Sequence, residues 1–322
     1  MKVLYGYRGA KYKLKAPVAA IGIFDGVHIG HKKVIKKLLN STGKDKVIAT
    51  FDPHPKKVLF PKKPSLRIMS LDHRLSIFEK MGLDAVIVIR FSRFIAEMSP
   101  EDFVKRILLN IGAKKIYVGR NFYFGCSKSG DIERLKEIGK KYGIDVCVVG
   151  HVKRKGKIVS STWLRSLISL GKLKDAEKLL RRPVSVLGTV VTGDNRGKTL
   201  GVPTANIDPH HEVIPPPGIY AVFVCFEGKI FEGVLNVGFN PTFYGRSLKR
   251  RREPKIEVNL FDFDDDIYGC HMEIFFMEKL RKEKKFRSVE KLKIQIKKDI
   301  LAAKKALAGR DVRSKIETYK RY

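Results

Sequence analysis

The run Val18 to Ile23 is apolar, stops at the turn pair Asp25-Gly26, and gives way to Val34, Ile35, Leu38 and Leu39 at helical spacing from about His28 onward. A buried strand therefore passes almost directly into a helix, which confines this part of the chain to an α/β arrangement. His28 and His31 fall at the junction. Backbone N–H groups at a helix start lack intrahelical partners and carry partial positive charge, which suits a phosphate. Side chains three apart face the same way in a helical first turn, and Gly26 and Gly30 let a ligand approach the backbone closely. The residues read as a polyphosphate cradle with two imidazole donors. A bare His-x-x-His is more often a pair of capping or surface residues, so the reading depends on the rest of the chain.

Through residue 150 short apolar runs alternate with helical patterns, as in a parallel α/β sheet. Strands are expected at Val47 to Phe51, Ala85 to Ile89, Ile116 to Val118 and Val146 to Val149, and a helix opens at Pro100-Glu101-Asp102. Active-site groups in such folds gather beyond the C-terminal strand ends. There the chain carries Thr50-Phe51-Asp52-Pro53-His54-Pro55, which on the residues alone reads more readily as a proline-rich turn, and Gly119-Arg120-Asn121-Phe122-Tyr123-Phe124-Gly125. The three aromatics fit core anchors or a flat wall for a ring system. Ser160-Ser161-Thr162 precedes an apolar helix with Arg165 one turn in, which suits helix capping or phosphate binding. Two helices broken at Gly171 follow, to about Arg182.

From residue 184 the texture changes to closely spaced β-type runs: Val184 to Val191, Gly218 to Phe226, Ile230 to Val237 and Ile256 to Phe261. Glu227-Gly228 reads as a tight hairpin turn. Strands with no helices between them imply a small barrel or sandwich, with helix returning only after about Val289. Gly193 to Asn206 is glycine-rich, and if Thr204 to Asn206 is extended the two oxygens point one way and could ligate Mg²⁺, a hard cation. Ile256, Val258 and Leu260 alternate inward, which turns Glu257 to the opposite face.

The chain has 322 residues, enough for two domains, and 66 Lys and Arg against 33 Asp and Glu, a formal charge of +33. That charge favours anionic partners but is spread along the whole chain, as a solvated lysine-rich surface is. No RNA-binding module is recognisable. Four scattered cysteines form no Cys-x-x-Cys pair, so a reducing cytoplasm is the simplest setting, and nothing approaches a membrane-spanning run of about 20 apolar residues.

Gly22-Ile-Phe24-Asp25-Gly26-Val-His28-Ile-Gly-His31 resembles the adenylylation signature of bacterial bifunctional riboflavin kinase/FMN adenylyltransferases, within the wider His-x-Gly-His nucleotidylyltransferases. Thr-Phe-Asp-Pro-His-Pro, the 119–125 loop and Val159-Ser-Ser161-Thr162-x-x-Arg165 are similar to further strings of that family, in the same order. Gly193 to Asn206 resembles the kinase signature ending in Pro-Thr-Ala-Asn, with Lys198 where many members have Arg, which keeps charge but loses a fork of donors. The resemblance implies a Rossmann-like nucleotidylyltransferase domain over 1–160, a helical linker over 161–182, and an all-β riboflavin kinase barrel with a C-terminal helix over 183–308, before a basic tail, 309–322. It implies ATP as co-substrate, Mg²⁺, and riboflavin, FMN and FAD as substrates and products. For the adenylyltransferase, it implies ATP binding by Gly22, Phe24, Asp25, Gly26, His28, His31, Asn121, Ser161, Thr162 and Arg165. His28 and His31 would stabilise the reacting phosphate. For the kinase, it implies ATP binding by Gly193, Lys198, Thr204 and Asn206, metal ligation by Thr204 and Asn206, and Glu257 as catalytic base. Flavin contacts would come from Asn121, Phe122, Phe124 and Arg281. A different acceptor, or a basic RNA-binding protein with a degenerate nucleotide site, are the competing readings. Residues 246–255, with six basic residues and one acid, stand outside the resemblance.

Overall fold

The computed structural model describes residues 1–62, 67–193, 202–210, 212–238, 255–286 and 288–310. The chain forms two compact units, one built on residues up to 67 with 71–161, the other on 68–70 with residue 162 onward. The helical stretch expected as a linker thus groups, apart from Ser161, with the second unit.

The first unit holds a parallel sheet of six strands: β1 (Lys2–Tyr5), β2 (Val18–Ile21), β3 (Lys46–Asp52), β4 (Ala85–Arg90), β5 (Lys115–Gly119) and β6 (Asp145–Val149). Their order is β1-β4-β3-β2-β5-β6. All four residues of β2 and five of six in β4 are buried, because helices cover both faces; such strands read as unbroken apolar runs. β2 lies between β3 and β5, so the strand order reverses direction at its edges. Doubly wound sheets bind ligands beyond the C-terminal ends of the strands that flank such a reversal, here β2 and β5. The helix Ile29–Leu39 leaves this point, and Val34, Ile35 and Leu38 bury its apolar face as the sequence predicts. A two-stranded ribbon, β7 (Lys153–Arg154) with β8 (Lys157–Ile158), follows β6. From Pro100 the helix runs through Phe103 into a π-helical stretch, Val104–Leu108, and buries Phe103, Ile107 and Leu108.

The second unit begins with helices Ser161–Ser169 and Leu173–Leu180, broken at Gly171. Six antiparallel strands then close a barrel: β9 (Val184–Val191), β10 (Ala205–Asp208), β11 (Gly218–Phe226), β12 (Lys229–Gly238), β13 (Lys255–Leu260) and β14 (His271–Arg281), in the order β10-β13-β12-β11-β14-β9. The expected hairpin turn is present: Phe226 pairs with Lys229 across Glu227 and Gly228, both at positive φ. Outside the barrel, Ala221, Phe223, Phe261 and Phe275 pack against Ala303 and Leu307 of the C-terminal helix Val289–Leu307. Ser288 caps that helix by accepting from the Lys291 N–H at 3.3 Å.

Candidate functional site

The loop between β2 and the helix Ile29–Leu39 is held in an unusual backbone conformation. Phe24 (φ 53°), Gly26 (φ 88°) and Val27 (φ 41°) are all left-handed. Glycine adopts that region freely, but a β-branched valine does so at a cost of about 1–3 kcal/mol, and such strain persists only where packing over-determines it. Val27 is fully buried and Phe24 is 3% exposed, its ring edge-on to His31 at 5.3 Å and to Phe78 at 6.0 Å. The turn delivers His28 to the helix N-cap, where its Nδ1 accepts the His31 N–H at 3.3 Å. The imidazoles stack with centroids 3.7 Å apart and an 18° tilt. Nδ1 of His31 is buried without a hydrogen-bond partner among the described residues. The His28 capping bond is the local role that a bare His-x-x-His suggests; the stacked, strained pair is more than a cap needs.

Burial pushes the His28 imidazole down to about 4, and burial, with His28 and then Arg74 facing it, holds His31 well below the usual imidazole range. Both rings are therefore neutral at pH 7, each with one N–H to donate. A folded pKa below the unfolded one means the unfolded chain binds more protons, so this stability is complete above pH 6.5 and lost as pH falls toward 4. For His28 the linkage is roughly 3 kcal/mol. Urea midpoints measured between pH 7 and 4.5 are expected to fall more steeply for the wild type than for His28→Asn, which keeps a capping side chain. Equal slopes would contradict the burial argument.

Ser161, the first residue of the helix Ser161–Ser169, donates from Oγ to the Asp25 carbonyl at 2.8 Å. Thr162 and Arg165, three apart on that helix, share one face. Asp25 is buried at 3%, and a β-carbon on Gly22 would meet the Phe24 ring at 3.2 Å. At the end of β5 the chain turns with Phe122 N–H donating to Gly119 O at 2.9 Å. Asn121 and Tyr123 are exposed, Phe122 is half-buried, and Phe124 lies in the core beside Phe103. The Phe122 ring stacks on Phe124, 5.7 Å between centroids. The aromatic run is thus core anchor at Phe124, packs partly buried against the core at Phe122, and reaches solvent at Tyr123. A concavity of about 410 Å³ lies against Phe122, Tyr123, Arg120 and Gly150. His54 caps the short helix Pro55–Leu59, its Nδ1 accepting the Lys56 N–H at 3.1 Å, and the Asp52–Pro53 peptide is cis. Asp52 meets Arg67 and Arg74, each at 3.4 Å.

The barrel carries a polar row on its outer face. Asn206 of β10 and Asn236 of β12 pair with Glu257 of β13 from either side, and Ile219 of β11 and Arg281 of β14 continue the row. Ile256, Val258 and Leu260 are buried as the alternation predicts, while Glu257 is half-exposed and ion-paired to Lys255 Nζ at 3.0 Å. The Oδ1 atoms of Asn206 and Asn236 are buried without a hydrogen-bond partner among the described residues. Orphaned buried acceptors are rare and point to a missing donor or cation, and a carboxamide oxygen is the hard ligand that Mg²⁺ takes. Thr204 is exposed one residue before β10. Gly193 lies so close to Asn206 that a β-carbon there would sit 1.8 Å from Asn206 Nδ2. Lys198 falls outside the described residues, as does 246–254 of the basic loop. Arg281 spends its fork on the buried Asp299, Nε to Oδ1 at 2.8 Å and Nη2 to Oδ2 at 2.6 Å, and its guanidinium lies over the Phe286 ring, 5.9 Å from the centroid.

Sequence reasoning passed over Arg74 and gave no role to Asn236. Arg74 shares an apolar helix face with Ile77 and Phe78, and a cation on such a face is the readable signal. Asn236 sits in a strand that otherwise reads as buried β, and only its register with Glu257 marks it.

A neutral imidazole pair at the switch point of a parallel sheet, joined in one chain to a barrel with an acid between two buried carboxamides, defines a two-domain, nucleotide-dependent transferase of the nucleotidylyltransferase-plus-kinase type. The FAD synthetase family model matches residues 11–163, and the riboflavin kinase family model matches 180–307. The chain is 35% identical over 288 residues to the bifunctional riboflavin kinase/FMN adenylyltransferase of Bacillus subtilis, covering 88% of this chain and 90% of that one. It is 34% identical to the Escherichia coli K12 enzyme of the same name over 292 residues, covering 89% and 91%. A crystal structure described as a macrolide-efflux protein from Streptococcus pneumoniae superposes with a TM-score of 0.76 at 30% identity, covering 93% of this chain and 97% of that one. The chain belongs to the bifunctional riboflavin kinase/FMN adenylyltransferase family.

Proposed function

We infer that the barrel phosphorylates riboflavin with ATP to give FMN, and that the N-terminal α/β unit joins FMN to the AMP moiety of a second ATP, giving FAD and pyrophosphate. The observation that carries the second step is the stacked, neutral His28–His31 pair on a strained loop at the sheet's switch point. No protein nucleophile is needed there, because the FMN phosphate attacks the α-phosphorus itself. Catalysis then rests on alignment and on charge stabilisation. His28 and His31 donate N–H bonds to the pentavalent phosphate through Nε2, the ring nitrogen His28 leaves free of its capping bond. Gly22, Phe24, Asp25 and Gly26 shape the nucleotide side of the loop, and Ser161, Thr162 and Arg165 hold the departing pyrophosphate. Asn121 and Phe122 face the flavin, with Phe124 as the buried support behind Phe122.

In the barrel, Glu257 takes the proton from the riboflavin ribityl hydroxyl as that oxygen attacks the γ-phosphorus, and ADP leaves. Thr204 and Asn206 are the residues we assign to Mg²⁺, which when bound neutralises phosphate charge. The orphaned Asn206 Oδ1 supports that assignment. Gly193 and Lys198 are assigned to the ATP phosphates, and Arg281 to the flavin. Gly193→Ala forces the Asn206 carboxamide aside. It is expected to cut FMN formation roughly 100-fold, the scale of an ångström-sized misplacement, and to leave FAD formation from supplied FMN intact. Unchanged FMN formation would remove Asn206 from the site.

Riboflavin, ATP and Mg²⁺ incubated with the chain should yield FMN first and FAD after it, resolved by chromatography. FMN without FAD, or neither product, would overturn the reading. The cytoplasm is the setting we assign, and among the described residues no helix is long and apolar enough to cross a membrane.

A further inference from the structure

Arg74 is 3% exposed, on the helix Leu71–Lys80. A guanidinium does not release its proton in a protein, so a full positive charge is buried here. Replacing a buried ionic group by a hydrophobe of similar size is often neutral or stabilising, so a core packing role alone does not call for arginine.

What Arg74 holds is specific. Nη1 donates to the Ile23 carbonyl at 2.7 Å and to Thr50 Oγ1 at 2.8 Å, and Nη2 reaches Asp52 Oδ1 at 3.4 Å. Thr50 Oγ1 in turn donates to the same Ile23 carbonyl at 3.1 Å. Thr50 and Asp52 are the C-terminal end of β3, and Ile23 O is the last carbonyl before Phe24, where the left-handed turn begins. The same helix touches that turn a second time, through Phe78 edge-on to Phe24, whose ring is also edge-on to His31. A strained loop needs its conformation imposed from outside. Here one helix imposes it at two points, a charge-assisted bond on the carbonyl that enters the turn and a ring contact on its first side chain.

We propose that Arg74 is a positioning residue for adenylyl transfer, whose fork pins the Ile23 carbonyl and thereby fixes the Phe24–Val27 turn that presents His28 and His31. The proposal rests on the reading of the α/β unit as the FMN adenylyltransferase. The charge has a second effect: it faces His31 and disfavours protonation there, after the larger effects of burial and His28. That keeps His31 in the form with one N–H to donate and one nitrogen unprotonated.

The test compares the full chain with Arg74→Met, which keeps bulk without charge, and Arg74→Lys, which keeps charge without the fork. In Arg74→Met, kcat for FAD formation from supplied FMN is expected to fall roughly 100-fold, with KM for ATP changed by less than about threefold, since the loss lies in alignment and not in ground-state binding. FMN formation from riboflavin should stay at the wild-type rate, and the His31 resonance, followed by NMR, should titrate at higher pH than in the wild type. Arg74→Lys should fall between, about tenfold below wild type, because one donor replaces a fork. Wild-type kcat for FAD formation in either variant overturns the proposal, as does a parallel loss of FMN formation. If the methionine variant does not fold, the lysine variant decides by the same criterion. A wild-type chain that makes FMN but no FAD overturns the adenylyltransferase reading itself, and the proposal with it.

Discussion

His28→Ala is expected to stop FAD formation while riboflavin phosphorylation continues at the wild-type rate. The substitution removes three things at once: an N–H donor aimed at the reacting phosphate, the acceptor of the His31 N–H, and the ring stacked on His31. Loss of one preorganised donor costs roughly 100- to 1,000-fold in kcat, and loss of the companion's orientation adds to that. The lost N-cap costs about 1 kcal/mol, small against a domain stability of about 5–15 kcal/mol, so the protein should remain folded and the kinase should work. The measurement feeds FMN and ATP for one reaction and riboflavin and ATP for the other, with both products resolved chromatographically. An FAD rate within tenfold of the wild type, or the loss of both activities, would contradict the assignment.

Glu257→Ala should give the mirror image. Removing a general base costs roughly 100- to 10,000-fold, so riboflavin should accumulate unphosphorylated while supplied FMN is still converted to FAD. Stability should change little, because the Glu257–Lys255 pair is solvent-accessible on both sides, with side chains 32% and 28% exposed. Mixing the two variants is the sharper form of the experiment. Each supplies the step the other lacks, and FMN can diffuse between molecules, so the mixture should make FAD from riboflavin when neither variant alone does. A mixture that stays inactive would mean the two assigned sites are not independent.

Much of the fold was legible because its local signals agree with one another. The strands β2 to β5 are buried over most of their length and show as apolar runs, and the helix after His28 carries its period plainly. β1 was not legible: it is four residues long, at the sheet edge, with no fully buried position. β14 was missed for the opposite reason. Its residues Met272 to Phe276 are all buried, the alternate positions by the barrel interior and by the C-terminal helix, so no period of two survives. Barrel closure, as against a sandwich, depends on β9 pairing with both β10 and β14, a register that no local pattern encodes. At the sites, spacing singled out His28 and His31, and the role of Glu257 came from the family resemblance alone. Neither said that Val27 would be forced left-handed, that both imidazoles would be neutral, or that Asn236 would face Glu257 across a strand. Those properties arise from tertiary burial and register. Arg281 shows the same limit, since its engagement with Asp299 comes from a helix 18 residues further on.

The central claim is that two ATP-dependent sites act in turn on one flavin, and isotopic labelling tests it most directly. With riboflavin and γ-labelled ATP, FMN should carry the label, and FAD should retain it in the phosphate next to the ribityl chain. With α-labelled ATP, FMN should be unlabelled and FAD should carry label in the phosphate next to adenosine. FAD labelled from the α-position with no γ-label passing through FMN, or FMN labelled from the α-position, would contradict the account.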